Sequence, residues 1–137
     1  MSKSVKFSEA VAGVLNTVAP ERFRAEVNLF PDFRFEKIRE LKVIVCPNIL
    51  KQKNLDRVSS EYLVKVNIGV MKRLADVSGE LPELIDLVEN IGKKLERKKL
   101  DGGIVISTDY EPIYDSAAIA RYNRFFSICS ATVKVIE

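Results

Sequence analysis

Histidine and tryptophan are absent from this 137-residue chain, and cysteine occurs only twice. The absence of histidine removes the commonest general base and the commonest metal ligand, which excludes Ser-His-Asp and Cys-His nucleophile systems and argues against a zinc enzyme. Cys46 and Cys129 lie far apart in runs that are typical of strands, so we expect two buried thiols and no disulfide.

Long apolar runs are also missing. No run approaches the roughly 18–20 residues of a membrane-spanning helix, and the start, MSKSVKFSEA, lacks the apolar segment of a signal peptide. We therefore predict that the protein is made in a cytoplasm and does not associate with a membrane.

Apolar residues make up 47% and charged residues 30%, which predicts a globular core, and the length predicts a single domain over 1–137. The net charge of +3 is too small to predict nucleic-acid binding by itself.

Hydrophobic periodicity predicts an α+β fold in which a single, mostly antiparallel sheet is flanked by an N-terminal helix and one longer amphipathic helix. Apolar spacing predicts the first helix over residues 6–17. The longer helix is predicted over 82–100, with Pro82 in its first turn and Gly102-Gly103 as its C-cap. Its acids precede its bases; this order suits a solvated helix, and a basic patch for DNA or an acidic partner is the alternative.

Period-two alternation and β-branched runs predict the strands. The predicted strands lie at residues 22–31, at 41–47 with Pro47 as the end of an interior strand, at 62–71, from 104 to a turn at Pro112, and at 121–137. Residues 32–40 alternate weakly and are left open as a loop or an edge, and a helical turn is predicted over 116–120. The chain around 47–60 is predicted to be a polar loop or hairpin arm.

The last predicted strand is apolar on both faces. One face carries Phe125, Cys129, Val133 and Val135, and the other carries Tyr122, Phe126, Ile128 and Ile136. A strand that is apolar on both sides is expected to be covered on both sides. Because few helices are predicted, a second subunit is a candidate for the second cover.

Three acids near Pro112 are the first candidates for chemistry. Asp109, Glu111 and Asp115 could meet around this proline and serve in acid–base work or at a magnesium site. Turns next to proline are commonly rich in acids, and no second acidic cluster completes a site. Neither glycine-rich phosphate motif is present. We therefore predict no catalytic, cofactor-binding or metal-binding residues, and no enzyme activity.

Aromatic and basic residues supply the remaining candidates. The tyrosines could stack on bases, but packing at a junction is the preferred interpretation. The bases of the hairpin arm could contact DNA, but a solvated loop is the preferred interpretation. We predict that this set forms a subunit or partner interface: Lys51, Lys53, Arg57, Tyr110, Tyr114, Asp115, Arg121, Tyr122 and Arg124.

Several phrases together resemble a known family. They are LKVIVCP, SSEYLVKVNIGVMKRL, ELPELIDLVENIGKKLERKKLDGG and DYEPIYDSAAIARYNRFFSICSATVKV. In this order, over about residues 7–135, they are similar to the tail terminator, or tail completion, proteins of long-tailed bacteriophages, which are encoded among the head-to-tail joining genes.

The resemblance implies a structural virion protein. It implies an α+β subunit in a homo-oligomeric ring, expected to be a hexamer, that sits on the end of the tail tube, stops polymerisation of the tube protein and offers a docking surface for the head. It also implies a place in the neck of a virion, contact with head–tail connector proteins, and passage of genomic DNA through the lumen. Another connector protein, such as a stopper or head-completion protein, and a nucleic-acid-binding module are the alternatives.

Overall fold

The sheet and its helices form an α+β fold, as the periodicity predicts. A computed structural model of the chain describes residues 2–18, 20–29 and 40–137. The elements are, in order, α1 (Lys3–Leu15), β1 (Glu26–Val27), β2 (Lys42–Asn54), β3 (Ser60–Arg73), α2 (Val77–Leu95), β4 (Lys99–Leu100), β5 (Gly103–Tyr110), α3 (Ser116–Tyr122) and β6 (Arg124–Ile136). The strands form a six-stranded sheet in the order β1-β2-β3-β6-β5-β4. β1 and β2 pair in parallel and the other pairs are antiparallel.

The two longer helices pack on one face of the sheet. α1 lies on β2 and β3, α2 lies on β6 and β5, and the two helices contact each other. Alternate residues of the central strands point into this layer; they include Val64, Ile68, Phe125 and Val133, all fully buried. The predicted inward face of β3 and one predicted face of β6 are therefore confirmed. None of the described helices is long and apolar enough to cross a membrane.

β2 does not end at Pro47, so this part of the prediction is wrong. The strand continues to Asn54, and Pro47 pairs with Val66 just before an irregularity in the register at Ile49. Proline is tolerated where its missing N–H faces an unpaired edge. Among the described residues β1 pairs with β2 at Ile44 and Val45 alone, so within them Pro47 lies beyond that pairing and the hairpin extends past it.

The bounds of α2 also differ from the prediction. The helix begins at Val77 and not at Pro82, which lies inside it, and it ends at Leu95. Gly102-Gly103 is not a C-cap. Residues 99–100 instead pair with 103–104, and Gly102, with φ 89°, makes the turn between these strands. Strand pairing at the edge of the sheet therefore replaces the last predicted turn of helix.

Within the described part of the predicted segment, residues 22–29, the only strand is Glu26–Val27. Core packing and a side-chain hydrogen bond hold the residues before this strand. Phe23 and Ala25 are buried in the core, and the Ala25 N–H donates to the side-chain oxygen of Asn16 at 2.6 Å. Of the weakly alternating segment 32–40, residues 32–39 lie outside the described residues.

Glu80 replaces the missing side-chain cap of α2. Its Oε2 accepts from the backbone N–H groups of Ala75 at 2.7 Å and Asp76 at 2.9 Å, and its Oε1 pairs with Lys72. These donors, with Lys72 first, lower the pKa of Glu80 from 4.5 to about 2.

Glu80→Gln removes the charge that Lys72 and two backbone N–H groups contact, so we expect it to reduce the free energy of unfolding by about 1 kcal/mol at neutral pH. The expected loss is no larger because water screens an ion pair that lies near the surface. The folded-state pKa of Glu80 is lower than the unfolded-state value, so this stabilisation is complete above about pH 4.5 and is lost as the pH falls towards 2. Urea unfolding at pH 7 and pH 3 measures it. A difference between wild type and variant that grows on acidification would contradict this assignment.

Both cysteines are free, as predicted, but only Cys129 is buried; Cys46 is half-buried. Burial, with a smaller contribution from Asp109, raises the pKa of Cys129 to about 12, and burial also raises the pKa of Cys46. Because the thiolate is the reactive form, a thiol reagent at neutral pH should label the folded protein slowly, and at Cys46 before Cys129. Mass spectrometry of labelled Cys46→Ser and Cys129→Ser variants tests this order; rapid labelling of Cys129 in the folded protein would contradict it.

Candidate interaction surface

The face of the sheet opposite the helices carries a mixed surface at its hairpin end, which we call the open face. It consists of Ile49, Lys51, Lys53, Leu63, Lys65, Ile104, Lys134 and Ile136. Strand pairing sets these residues in rows across the sheet. In the central row Lys51 pairs with Leu63, Leu63 with Lys134, and Lys134 with Ile104.

The apolar members of the open face are accessible. Ile136 is 57% exposed and Ile49 is 41% exposed, and Ile104 is also exposed. In the part of the chain that the structure describes, the longer helices lie on the other face. A cluster of exposed isoleucines on a rigid sheet is a feature of association surfaces.

The open face is basic. Among the described residues, Glu61 is the one acid that balances Lys51, Lys53, Lys65 and Lys134 there, and it forms an ion pair with Lys134 at 3.0 Å. Lys51 and Lys134 lie on either side of β3, about 9–10 Å apart at the usual strand spacing. This surface therefore suits an acidic partner.

The other half of the same sheet face differs. Ile44 and Met71 are buried there in a small cluster with Phe126. Ile128 is half-buried, so the second apolar face of β6 is covered near its start and exposed at Ile136. Tyr122 was predicted on this face of the strand, which is wrong: it belongs to α3, and β6 begins at Arg124.

The tip of the β2–β3 hairpin is rigid and partly apolar. Asp56 Oδ1 accepts from the N–H groups of Val58 and Ser59 at 2.8 Å, and these bonds lower the pKa of Asp56. The Leu55 N–H donates to the Ser59 carbonyl at 3.0 Å. Val58 is 87% exposed. Together with Lys51, Lys53 and Arg57 of the predicted set, this tip forms what we call the arm, residues 49–60.

The acids near Pro112 do not form a site. Asp115 caps α3, with Oδ1 accepting from Ala117 N–H at 2.9 Å and Ala118 N–H at 3.4 Å. Asp109 and Glu111 are exposed. Among the described residues, no group of three or more acids or cysteines is placed to hold a metal ion.

Residues 111–115 continue beside β6 as a hydrogen-bonded junction. Glu111 N–H donates to the Ile128 carbonyl, Ile128 N–H to the Pro112 carbonyl at 3.1 Å, and Asp115 N–H to the Phe126 carbonyl at 2.9 Å. Tyr114 packs against the core. Tyr110 also packs there, and its hydroxyl donates to the Glu89 carbonyl at 3.5 Å. Tyr110, Tyr114 and Asp115 therefore stabilise the subunit in this structure.

Arg121, Tyr122 and Arg124 lie at the opposite end of the sheet from the arm. Arg124 pairs with Arg73, whereas Lys51 pairs with Leu63 of the same strand. At about 3.3 Å per residue, the stretch of β3 between these two partners spans roughly 33 Å. The predicted residues thus fall into two distant surfaces and a structural junction.

Sequence reasoning missed several residues of these surfaces. Lys65 and Lys134 interrupt apolar strands, and the alternation of those strands together with their charge is the local signal that they face outward. Leu55 and Val58 in the polar arm could have been noticed as apolar residues without a periodic partner. The grouping of the lysines depends on the pairing of three strands, which no local pattern specifies.

Comparison with known proteins finds similarity to solved structures and to no family model or curated protein. A chain in the structure described as "Virion of native gene transfer agent (GTA) particle" superposes with a TM-score of 0.47 at 10% identity, covering 98% of this chain and 99% of that one. A similarity at this level carries no argument for the function of this chain.

Proposed function

We propose that this protein is a structural component of a phage-type virion, and not an enzyme. The observation that supports it most directly is the open face, where exposed isoleucines and lysines alternate on a rigid sheet. Such a surface serves association between proteins, because it offers apolar area together with charges that fix orientation.

Within this class, we propose the tail terminator role. The order of elements and the phrases of the sequence resemble that family, and the α+β fold with a single sheet is the fold that the resemblance implies. The subunit would form a ring, with six copies expected, on the last ring of tail-tube subunits in the neck of the virion. Head–tail connector proteins would dock on it, and the genomic DNA would pass through its lumen.

The distribution of surfaces supports a ring. A closed cyclic assembly uses two different patches on each subunit, one for each neighbour. The arm, whose lysines face away from the helices, and the helical side of the sheet are two such separated regions. The same geometry would serve a stopper or head-completion protein, whose ring would bind the portal side.

The test is assembly on tail tubes. Light scattering gives the mass of the protein alone and with tail-tube subunits, and electron microscopy shows where it binds. Rings, or caps confined to tube ends together with shorter tubes, are expected. Binding to portal-bearing heads and not to tubes would transfer the assignment to a stopper, and a monomer that binds neither would overturn it.

Nucleic-acid binding is the second candidate, because the open face groups Lys51, Lys53, Lys65 and Lys134. A protein that neutralises several phosphates binds DNA with an affinity that falls steeply with salt. Titration of duplex DNA at two salt concentrations tests it. Tight, salt-dependent binding by the monomer would favour this function. Weak binding that disappears at physiological salt would fit a ring through whose lumen DNA passes.

A further inference from the structure

The arm ends in an exposed apolar residue between basic side chains. Val58 stands out at the tip, with Arg57 beside it and Lys51 and Lys53 on the strand behind it. Asp56 is engaged by the backbone of the tip, where it accepts from Val58 and Ser59. The arm therefore presents a preorganised tip whose charges without an ion pair among the described residues are positive, and a preorganised loop loses little conformational entropy on binding.

A groove on the helical side has the opposite charge. It has a volume of about 560 Å³ and is lined by Val18, Glu21, Arg22, Glu83, Asp86, Leu87 and Asn90. Its acids outnumber its one arginine. Glu83 and Asp86 make no ion pair within the described residues. Leu87 and Val18 give the groove an apolar component, so it can receive an apolar residue between acids.

The arm and the groove of one subunit lie on different parts of the molecule. The lysines of the arm face away from the helical layer, and the groove is part of that layer, between the end of α1 and the middle of α2. The arm belongs to the Ser60 end of β3, whereas α2 begins beyond the Arg73 end. The complementary surfaces are thus placed for contact between copies.

We propose that the arm of one subunit docks in the acidic groove of the next copy of this chain. Val58 enters the groove beside Leu87, and Lys51, Lys53 and Arg57 lie against Glu21, Glu83 and Asp86. The contact joins different patches, so it can repeat around a closed ring. This inference rests on the proposed ring and identifies the surfaces that close it.

A directed cross-link tests the contact. One preparation carries Val58→Cys and a second carries Asn90→Cys, both in a Cys46→Ser background, and the two are mixed at high concentration and oxidised. A disulfide-linked dimer of the two variants is expected. Val58→Cys mixed with Ser107→Cys is the matched control, because Ser107 is also exposed but belongs to β5 and lies outside the groove.

Charge reversal provides an independent readout. The Lys51→Glu/Lys53→Glu variant should associate roughly tenfold or more weakly than wild type in sedimentation equilibrium, since like charges would then face each other. Adding Glu83→Lys and Asp86→Lys to the same chain should restore association. These positions are exposed, so thermal unfolding should show little change, and the restored variant separates an interface effect from misfolding.

The outcomes distinguish this inference from the proposed function. Oligomers that persist in the Lys51→Glu/Lys53→Glu variant, or a cross-link that forms as readily with Ser107→Cys, would overturn the arm–groove contact and leave the ring intact. A protein that forms no oligomer, alone or on tail tubes, would overturn both.

Discussion

Replacing Phe125 with alanine should reduce the free energy of unfolding by about 3–5 kcal/mol. The Phe125 ring is fully buried in the main core, at the start of β6. Its removal costs the transfer free energy of the ring and leaves a cavity that a six-stranded sheet with packed helices cannot close. Equilibrium unfolding in urea, monitored by circular dichroism, measures the loss.

The Ile136→Ala variant is the control on the same strand. Ile136 is 57% exposed on the open face, so its truncation should change the stability of the monomer by less than about 1 kcal/mol. If Phe125→Ala fails to fold, Phe125→Leu should still fold with a smaller loss, because the cavity is smaller. Equal effects of Phe125→Ala and Ile136→Ala would contradict the assignment of the two faces of β6.

The strands and the helices could be predicted from the sequence where local periodicity decides the structure. The alternation from Tyr62 to Met71 predicts a strand with one buried face, and β3 contains this whole segment. The apolar stripe of the long helix is likewise buried at Leu84, Val88 and Ile91. A strand or helix that buries one face needs such a pattern, and this need does not depend on how the other elements are arranged.

The ends of the elements could not be predicted in the same way, because tertiary contacts decide them. Pro47 ends a strand by its own preference, yet no described residue pairs with it on the β1 side and β2 continues. Gly102-Gly103 has the form of a helix C-cap, and the pairing of Lys99 with Ile104 draws it into a turn between strands.

The candidate surface was predictable only in part. Lys51, Lys53 and Arg57 were identified as exposed bases on an arm, and the structure places them there. Their neighbours Lys65 and Lys134 join them through the register of three strands, which long-range pairing determines. The aromatic and acidic residues near Pro112 were grouped with them by composition, although hydrogen bonds commit Asp115 and Tyr110 to the subunit itself.

Gly92→Ala should destabilise the protein by about 1–3 kcal/mol, although alanine is the better helix former. A Cβ atom at Gly92 would lie 1.7 Å from the Tyr110 hydroxyl oxygen and 2.7 Å from its Cζ. The Tyr110 ring packs against the core, and its hydroxyl reaches the Glu89 carbonyl, so it cannot move aside without losing these contacts. The clash therefore outweighs the gain in helix propensity of about 1 kcal/mol. Thermal and urea unfolding measure the net effect.

Gly13→Ala is the matched control, because Gly13 also lies inside a helix and a Cβ atom there meets nothing within 4 Å. This variant should gain about 0.5–1 kcal/mol. Combining Gly92→Ala with Tyr110→Ala removes the clashing hydroxyl, so in the Tyr110→Ala background the effect of Gly92→Ala should vanish or change sign. An unchanged penalty there would mean that the cost arises elsewhere. A reversal would show that the penalty of Gly92→Ala comes from the Tyr110 side chain packed against α2.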